Sequence, residues 1–331
     1  MQSDLLYYLK NIERIFMNDK SSNSDIGWLN DRLNGIGSIL ILDGGMGTEL
    51  ERTGVSMDGA CWSGLAVLEA PDSVRQVHAD FIRAGAEIII TNTFSSGRHM
   101  LEPIGAGEKV AAININAARL AREAIEEVAT GPVAIAGSLC EWTSADPDSK
   151  WSQPQAIGEA LHEQAALLAE GGVDIIAIEM AETTALSKLA LDAAHATGLP
   201  VWLGLSCRKT QTPEQLTTFD DASADFHAHA TALLEHARAS AAITLVNVMH
   251  TAVPDVQEAL VTLADIWDGP FGVYPESGFF QMPNWQFVDV ISPHDLVEAA
   301  RPWIEQNGIR LLGGCCGLGP DHIRAMKEAF A

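Results

Sequence analysis

A chain of 331 residues with 47% hydrophobic content has material for one large α/β barrel or two ordinary domains, and is too apolar to be disordered. Its 44 acidic against 20 basic residues give a formal net charge of -24, a field that repels phosphate and argues against nucleic acid or an anionic membrane surface as partner. Five cysteines without a framework spacing suit a reducing compartment; with no signal-peptide pattern at the start and no long apolar run, the expectation is a cytoplasmic protein with no membrane segment.

Residues 5–17 and 26–33 carry helical spacing and are joined by the polar stretch 18–24. Residues 1–37 therefore read as an N-terminal helical extension covering the bottom or side of the main domain. Short β-type apolar runs come next at 38–43, 87–91, 133–137, 173–178, 201–205, 242–248, 271–273 and 309–312. Between them lie segments with i, i+3/i+4 apolar spacing at 72–84, 108–128, 155–169, 184–196, 222–237, 256–266 and 293–305, and 320–330 closes the chain. Ala70-Pro71-Asp72 and Ser292-Pro293 are helix starts, and Gly85, Gly131, Gly171, Gly198 and Gly308 punctuate helix ends. Eight strand–helix units in unbroken series predict a (β/α)8 TIM barrel over 38–331 rather than a doubly wound sheet. The stretch 275–287 reads as a long loop; its Phe279, Phe280, Trp285 and Phe287 suit a lid or a subunit contact.

A barrel of this kind places its chemistry just after the strands. Asp43-Gly44-Gly45 follows the first strand, Asn92-Thr93-Phe94 the second, Glu179 the fourth and Cys207 the fifth; Asn247 ends the sixth, with His250 beyond it. After the eighth comes Gly313-Gly314-Cys315-Cys316-Gly317. Neighbouring side chains on a strand point to opposite faces, so two adjacent thiols converge only where the backbone turns, as these glycines permit. A convergent pair offers two soft ligands suited to zinc, and with few other cysteines an open site is expected. Buried packing and a vicinal disulfide are the competing readings of the pair.

These strand ends together resemble the homocysteine S-methyltransferase family of zinc-dependent barrels. The matching strings are Leu42-Asp43-Gly44-Gly45-Met46-Gly47-Thr48-Glu49-Leu50, Arg83-Ala84-Gly85-Ala86, Thr91-Asn92-Thr93-Phe94, Gly137-Ser138-Leu139, Glu179 after an apolar strand, and the Cys315-Cys316 motif. The resemblance spans about residues 38–330 and excludes the N-terminal extension. It implies zinc on Cys315 and Cys316, and homocysteine held by its amino group on Asp43 and Glu179. The carboxylate would lie near the Gly44-Gly45 amides and the turn of Thr91, Asn92 and Phe94, with Asn247 and Trp62 completing the substrate pocket. A free thiol is only about 3% ionised at pH 7, which is the difficulty zinc removes.

One departure matters. In the family the third zinc thiolate follows an Asn at the end of the sixth strand, and here Asn247 is followed by Val248. His250 and Cys207 are the substitutes on offer, His250 being preferred, and Val248→Cys is expected to tighten zinc binding. Trp62 matches a tryptophan of the betaine-using branch, but that branch's two tyrosines fall near Ser95 and Met180, which favours a small sulfonium such as S-methylmethionine as donor. The function implied is methyl transfer to homocysteine, giving methionine. The alternative is a diverged member that methylates another acceptor, works with a corrinoid partner, or binds an amino acid or thiol without catalysis. The aromatic loop and the extension are consistent with a homodimer.

Overall fold

The computed structural model describes residues 26–35, 37–143, 148–211, 214–240, 243–281 and 286–331. The helix expected over 5–17, the polar stretch 18–24 and Trp285 lie outside the described residues. The barrel strands are β1 (Leu40–Ile41), β2 (Ile88–Ile90), β3 (Ala134–Leu139), β4 (Ile175–Ala181), β5 (Val201–Leu205), β6 (Ile243–Ala252), β7 (Phe271–Glu276) and β8 (Leu311–Leu312). They pair in parallel in the order β1-β8-β7-β6-β5-β4-β3-β2. A parallel bridge between Leu42 and Ile88 joins the two ends, so the sheet closes into the (β/α)8 barrel. Outside it run the helices Pro71–Ala84, Val110–Val128, Pro154–Glu170, Thr184–Ala196, Phe226–Ser240, Val256–Ala264, Pro293–Glu305 and Pro320–Phe330.

Strand alternation divides the core into two layers. Val246 and Val248 of β6 join the layer between sheet and helices, with Ile176, Ile178 and Leu203. Leu245 and Met249 point into the barrel, with Ala177, Trp202 and Tyr274. Helix α1 (Gly27–Leu33) belongs to the inner layer: its buried Leu29 and Leu33 cluster with Leu40, Ile88 and Leu311 at the N-terminal ends of the strands. Arg32 fastens this helix by donating to the carbonyls of Ser38 and Ile39 and pairing with Glu87 at 3.1 Å. The extension thus ends in a plug over the bottom of the barrel.

The departures from expectation sit at the opposite end. β4 runs to Ala181, β6 to Ala252 and β7 to Glu276, each beyond its apolar run, because the added residues include Glu179, His250 and Glu276, polar groups that break hydrophobic periodicity. Two antiparallel hairpins are also present, Cys207–Gln211 with Glu214–Thr218 and Phe279–Gln281 with Gln286–Val288; the second corrects the expected loop. Among the described residues no helix is long and apolar enough to cross a membrane.

Candidate active site

The cysteine pair is carried on a turn held between neighbouring strands. The N–H of Gly313 donates to Val273, that of Gly314 to Asp43 and that of Cys315 to Pro275, at 2.8–2.9 Å. The backbones approach so closely that a β-carbon at Gly44 would collide with the Leu318 carbonyl. The two sulfurs stand 4.0 Å apart as free thiols, so a vicinal disulfide is absent. His250 Nδ1 lies 3.5 Å from Cys315 Sγ, and one ligand atom from each of His250, Cys315 and Cys316 lies within 4.8 Å of the others. Tetrahedral zinc with ordinary bond lengths separates two sulfurs by about 3.8 Å and a sulfur from a nitrogen by about 3.6 Å. The donor set and its spacing therefore fit zinc.

His250 reaches the pair through a break in β6. Ladder register with β7 shifts between Met249 and Ala252, and His250 itself adopts a left-handed conformation with φ +43°. Simple alternation would have put it on the outer face with Val248. Val248 is fully buried in the outer layer, so the expectation that a cysteine there would reach the metal is corrected: its side chain points away from the Cys315–Cys316 turn. Cys207 also belongs to the outer layer, 3.7 Å from the hydroxyl of Thr251, and burial pushes its thiol up to about 12. It takes no part in the cluster.

Burial opposes charge on His250, but the Cys316 sulfur and the Glu276 carboxylate outweigh it and push the imidazole up to about 9. The hydrogen bond from Cys315 and the adjacent imidazole hold Cys316 well below the usual thiol range, while Cys315, which keeps the shared proton and is buried, is pushed up. These shifts favour a thiolate beside an imidazolium, so a metal that bound here would have to displace protons.

A cavity of about 500 Å³ opens at the C-terminal end of the strands, with the cluster in its wall. Glu179 faces it, accepting a hydrogen bond from Ser138 Oγ. Burial raises this carboxyl to about 7, against the lowering effects of Ser138, His250 and the Tyr274 hydroxyl. Gly44, Gly45, Thr91, Asn92, Phe94 and Trp62 also line the cavity. Several are already engaged: Gly45 N–H donates to Leu318, the Thr91 hydroxyl to or from Thr93, and the Asn92 amide to Ser63, which anchors the Trp62 turn. Asp43 and Asn247, also expected at the substrate, are buried and are not among the residues that line the cavity. Asp43 is buried against Ile90 N–H with one oxygen unpartnered, and both amide atoms of Asn247 are buried and unpartnered.

The opposite wall is aromatic. Trp62 stacks on Phe94 at 5.3 Å and on Trp142 at 5.1 Å between ring centroids. Phe279, Phe280 and Phe287 of the second hairpin close the mouth beside Phe219, whose ring meets His250 at 4.7 Å. Tyr274 and Glu276 are not among the residues expected from sequence, although both end the seventh strand, where the barrel rule directs attention; the apolar run stops at 273 and hides them. Trp142, also not among the expected residues, lies three residues past the end of the third strand, just after the Gly137-Ser138-Leu139 string.

A family model described as homocysteine S-methyltransferase matches residues 40–330. The chain belongs to the homocysteine S-methyltransferase family. Among its relatives, betaine–homocysteine S-methyltransferase 1 of Bos taurus is 27% identical over 91% of this chain and 74% of its own length. The S-methylmethionine–homocysteine S-methyltransferase BHMT2 of Pongo abelii is 27% identical over 89% and 79%, and the selenocysteine methyltransferase of Astragalus bisulcatus 23% over 92% and 96%. The crystal structure of the homocysteine methyltransferase MmuM from Escherichia coli, in its metallated form, superposes with a TM-score of 0.70 at 22% identity, covering 92% of this chain and 99% of that one. That likeness establishes a shared barrel fold for this member of the homocysteine S-methyltransferase family.

Proposed function

We propose that this protein is a homocysteine S-methyltransferase that takes a methyl group from a small onium donor and holds zinc on Cys315, Cys316 and His250. The observation that carries the reading is the convergence in one cavity of three metal-competent side chains, a buried carboxyl and an aromatic wall. When bound, zinc supplies the positive charge that keeps a substrate thiol ionised at neutral pH. Three protein ligands leave a fourth position for that sulfur. Glu179, on the same side of the cavity, is the partner for the amino group of homocysteine, while burial raises the Asp43 carboxyl well above the usual carboxylate range and so favours its neutral form. The stacked Trp62, Phe94 and Trp142 offer π-faces to a methylated cation, with Asp220 and Glu276 adding negative charge nearby. The absence of tyrosine at Ser95 and Met180 favours a sulfonium over betaine. The aromatic hairpin at the mouth keeps water from the onium carbon.

The test is direct. Purified protein loaded with zinc, given homocysteine and a panel of sulfonium and quaternary ammonium donors, should form methionine, and a chelator should abolish it. No methionine from any donor would overturn the reading.

A further inference from the structure

We propose that Glu276 is a positioning residue of the metal cluster, acting through His250; the inference rests on the zinc reading above. His250 Nε2 lies 3.3 Å from Glu276 Oε2, while Nδ1 on the other side of the ring lies 3.5 Å from Cys315 Sγ. The ring is thus spanned, with a carboxylate at one nitrogen and the thiols at the other. A carboxylate opposite Nε2 selects the tautomer that carries hydrogen there, which leaves the Nδ1 lone pair aimed at the cysteine pair. Without this partner an isolated imidazole would populate both tautomers and rotate about its side-chain bonds.

The backbone is built to make the contact. His250 is held at φ +43°, a conformation that costs on the order of 1–3 kcal/mol. It falls within the shift of register between β6 and β7, whose next pair is Ala252 with Glu276. The same irregularity therefore presents both side chains at the strand ends. Neither is free to wander: the His250 side chain is 14% exposed and that of Glu276 18%, and Phe219 packs against the ring. Glu276 has a second effect. Two thiolates and a neutral imidazole only neutralise a divalent cation, and the carboxylate beside the ring adds one negative charge without occupying a coordination position. An imidazole held this way is a more basic ligand than an unsupported one.

Zinc affinity measured by competition with a chromophoric chelator tests the inference, together with the absorption spectrum of the cobalt(II)-loaded protein. Glu276→Gln, which keeps shape and loses charge, should weaken zinc about ten- to hundredfold and shift the cobalt ligand-field bands. Glu276→Ala should do the same, with circular dichroism confirming that both variants are folded. In a His250→Cys background, where there is no imidazole to orient, adding Glu276→Gln should change zinc affinity by less than about threefold. Wild-type zinc affinity and an unchanged cobalt spectrum in Glu276→Gln would overturn the role, as would an equal loss in the His250→Cys background. Failure of the wild-type protein itself to bind zinc would instead sink the zinc reading and this inference with it.

Discussion

Among single residues, the site depends on charges placed where water cannot screen them. Glu179 is buried yet borders the cavity, and its carboxyl is raised to about 7 chiefly by burial. In the proposed role it must ionise to hold an ammonium, so homocysteine affinity is expected to rise with pH up to about 7 and to fall about tenfold per unit below it. Glu179→Gln removes a charge-assisted contact of about 1.5–3 kcal/mol, an affinity loss of roughly ten- to hundredfold near neutral pH, and flattens the pH profile. Calorimetric titration of homocysteine at pH 6 and 8 checks both statements; a Gln variant that retained the wild-type affinity and slope would place the ammonium elsewhere. Asp43 has a different station. It is fully buried, accepts a hydrogen bond from Ile90 N–H and has its other oxygen unpartnered, and burial raises its carboxyl well above the usual range, which favours the neutral acid.

One level up, the strands derive their function from irregular ends. Trp62, Met180 and His250 have positive φ without being glycine, and all three line the cavity. Each such residue stores on the order of 1–3 kcal/mol of strain, tolerated because the barrel below is rigidly paired. Met180 shows how: its N–H leaves the ladder for the Met249 sulfur at 3.2 Å, at the point where β4 slips register against β5. The corresponding slip in β6 turns His250 inward and leaves Val248 in the outer layer. Val248→Cys should therefore leave zinc affinity within about twofold of wild type and cost only about 1 kcal/mol of stability, as a nearly isosteric core change. Chelator competition and denaturant unfolding measure the two effects. A large gain in zinc affinity would show that position 248 faces the Cys315–Cys316 pair after all.

Across the barrel as a unit, a plugged, apolar bottom is set against an acidic, open top. Glu141 and Glu182 are buried at that top rim, where the Glu141 carboxylate collects the N–H groups of Glu182 and Thr183 and the Ser187 hydroxyl. Glu182 in turn accepts Asp220 N–H at 3.0 Å, which fixes the segment leading from the first hairpin to the cavity. Burial raises Glu182 to about 8. Because the folded form holds its proton across a range where the unfolded chain has lost it, stability falls as pH rises from about 4.5 to 8. Glu182→Gln keeps the acceptor and abolishes the titration, so it should reduce the stability lost between pH 6 and 8.5 by on the order of 2 kcal/mol. Denaturant midpoints at the two pH values give the comparison, and parallel profiles for both proteins would exclude Glu182 as the source.

The architecture, and the strand ends that line the cavity, were legible in the amino-acid sequence. Eight apolar runs alternating with helical spacing in unbroken series favour a closed parallel barrel, and Asp43, Glu179 and the Cys315–Cys316 turn follow their strands by local rules of chain direction. Three-dimensional packing was needed to turn His250, already preferred over Cys207, toward that pair, to turn Val248 outward, and to bring Tyr274, Glu276 and Trp142 into the cavity wall. These outcomes depend on left-handed residues and register slips at strand ends. Such features are set by contacts with neighbouring strands, and hydrophobic periodicity carries no trace of them.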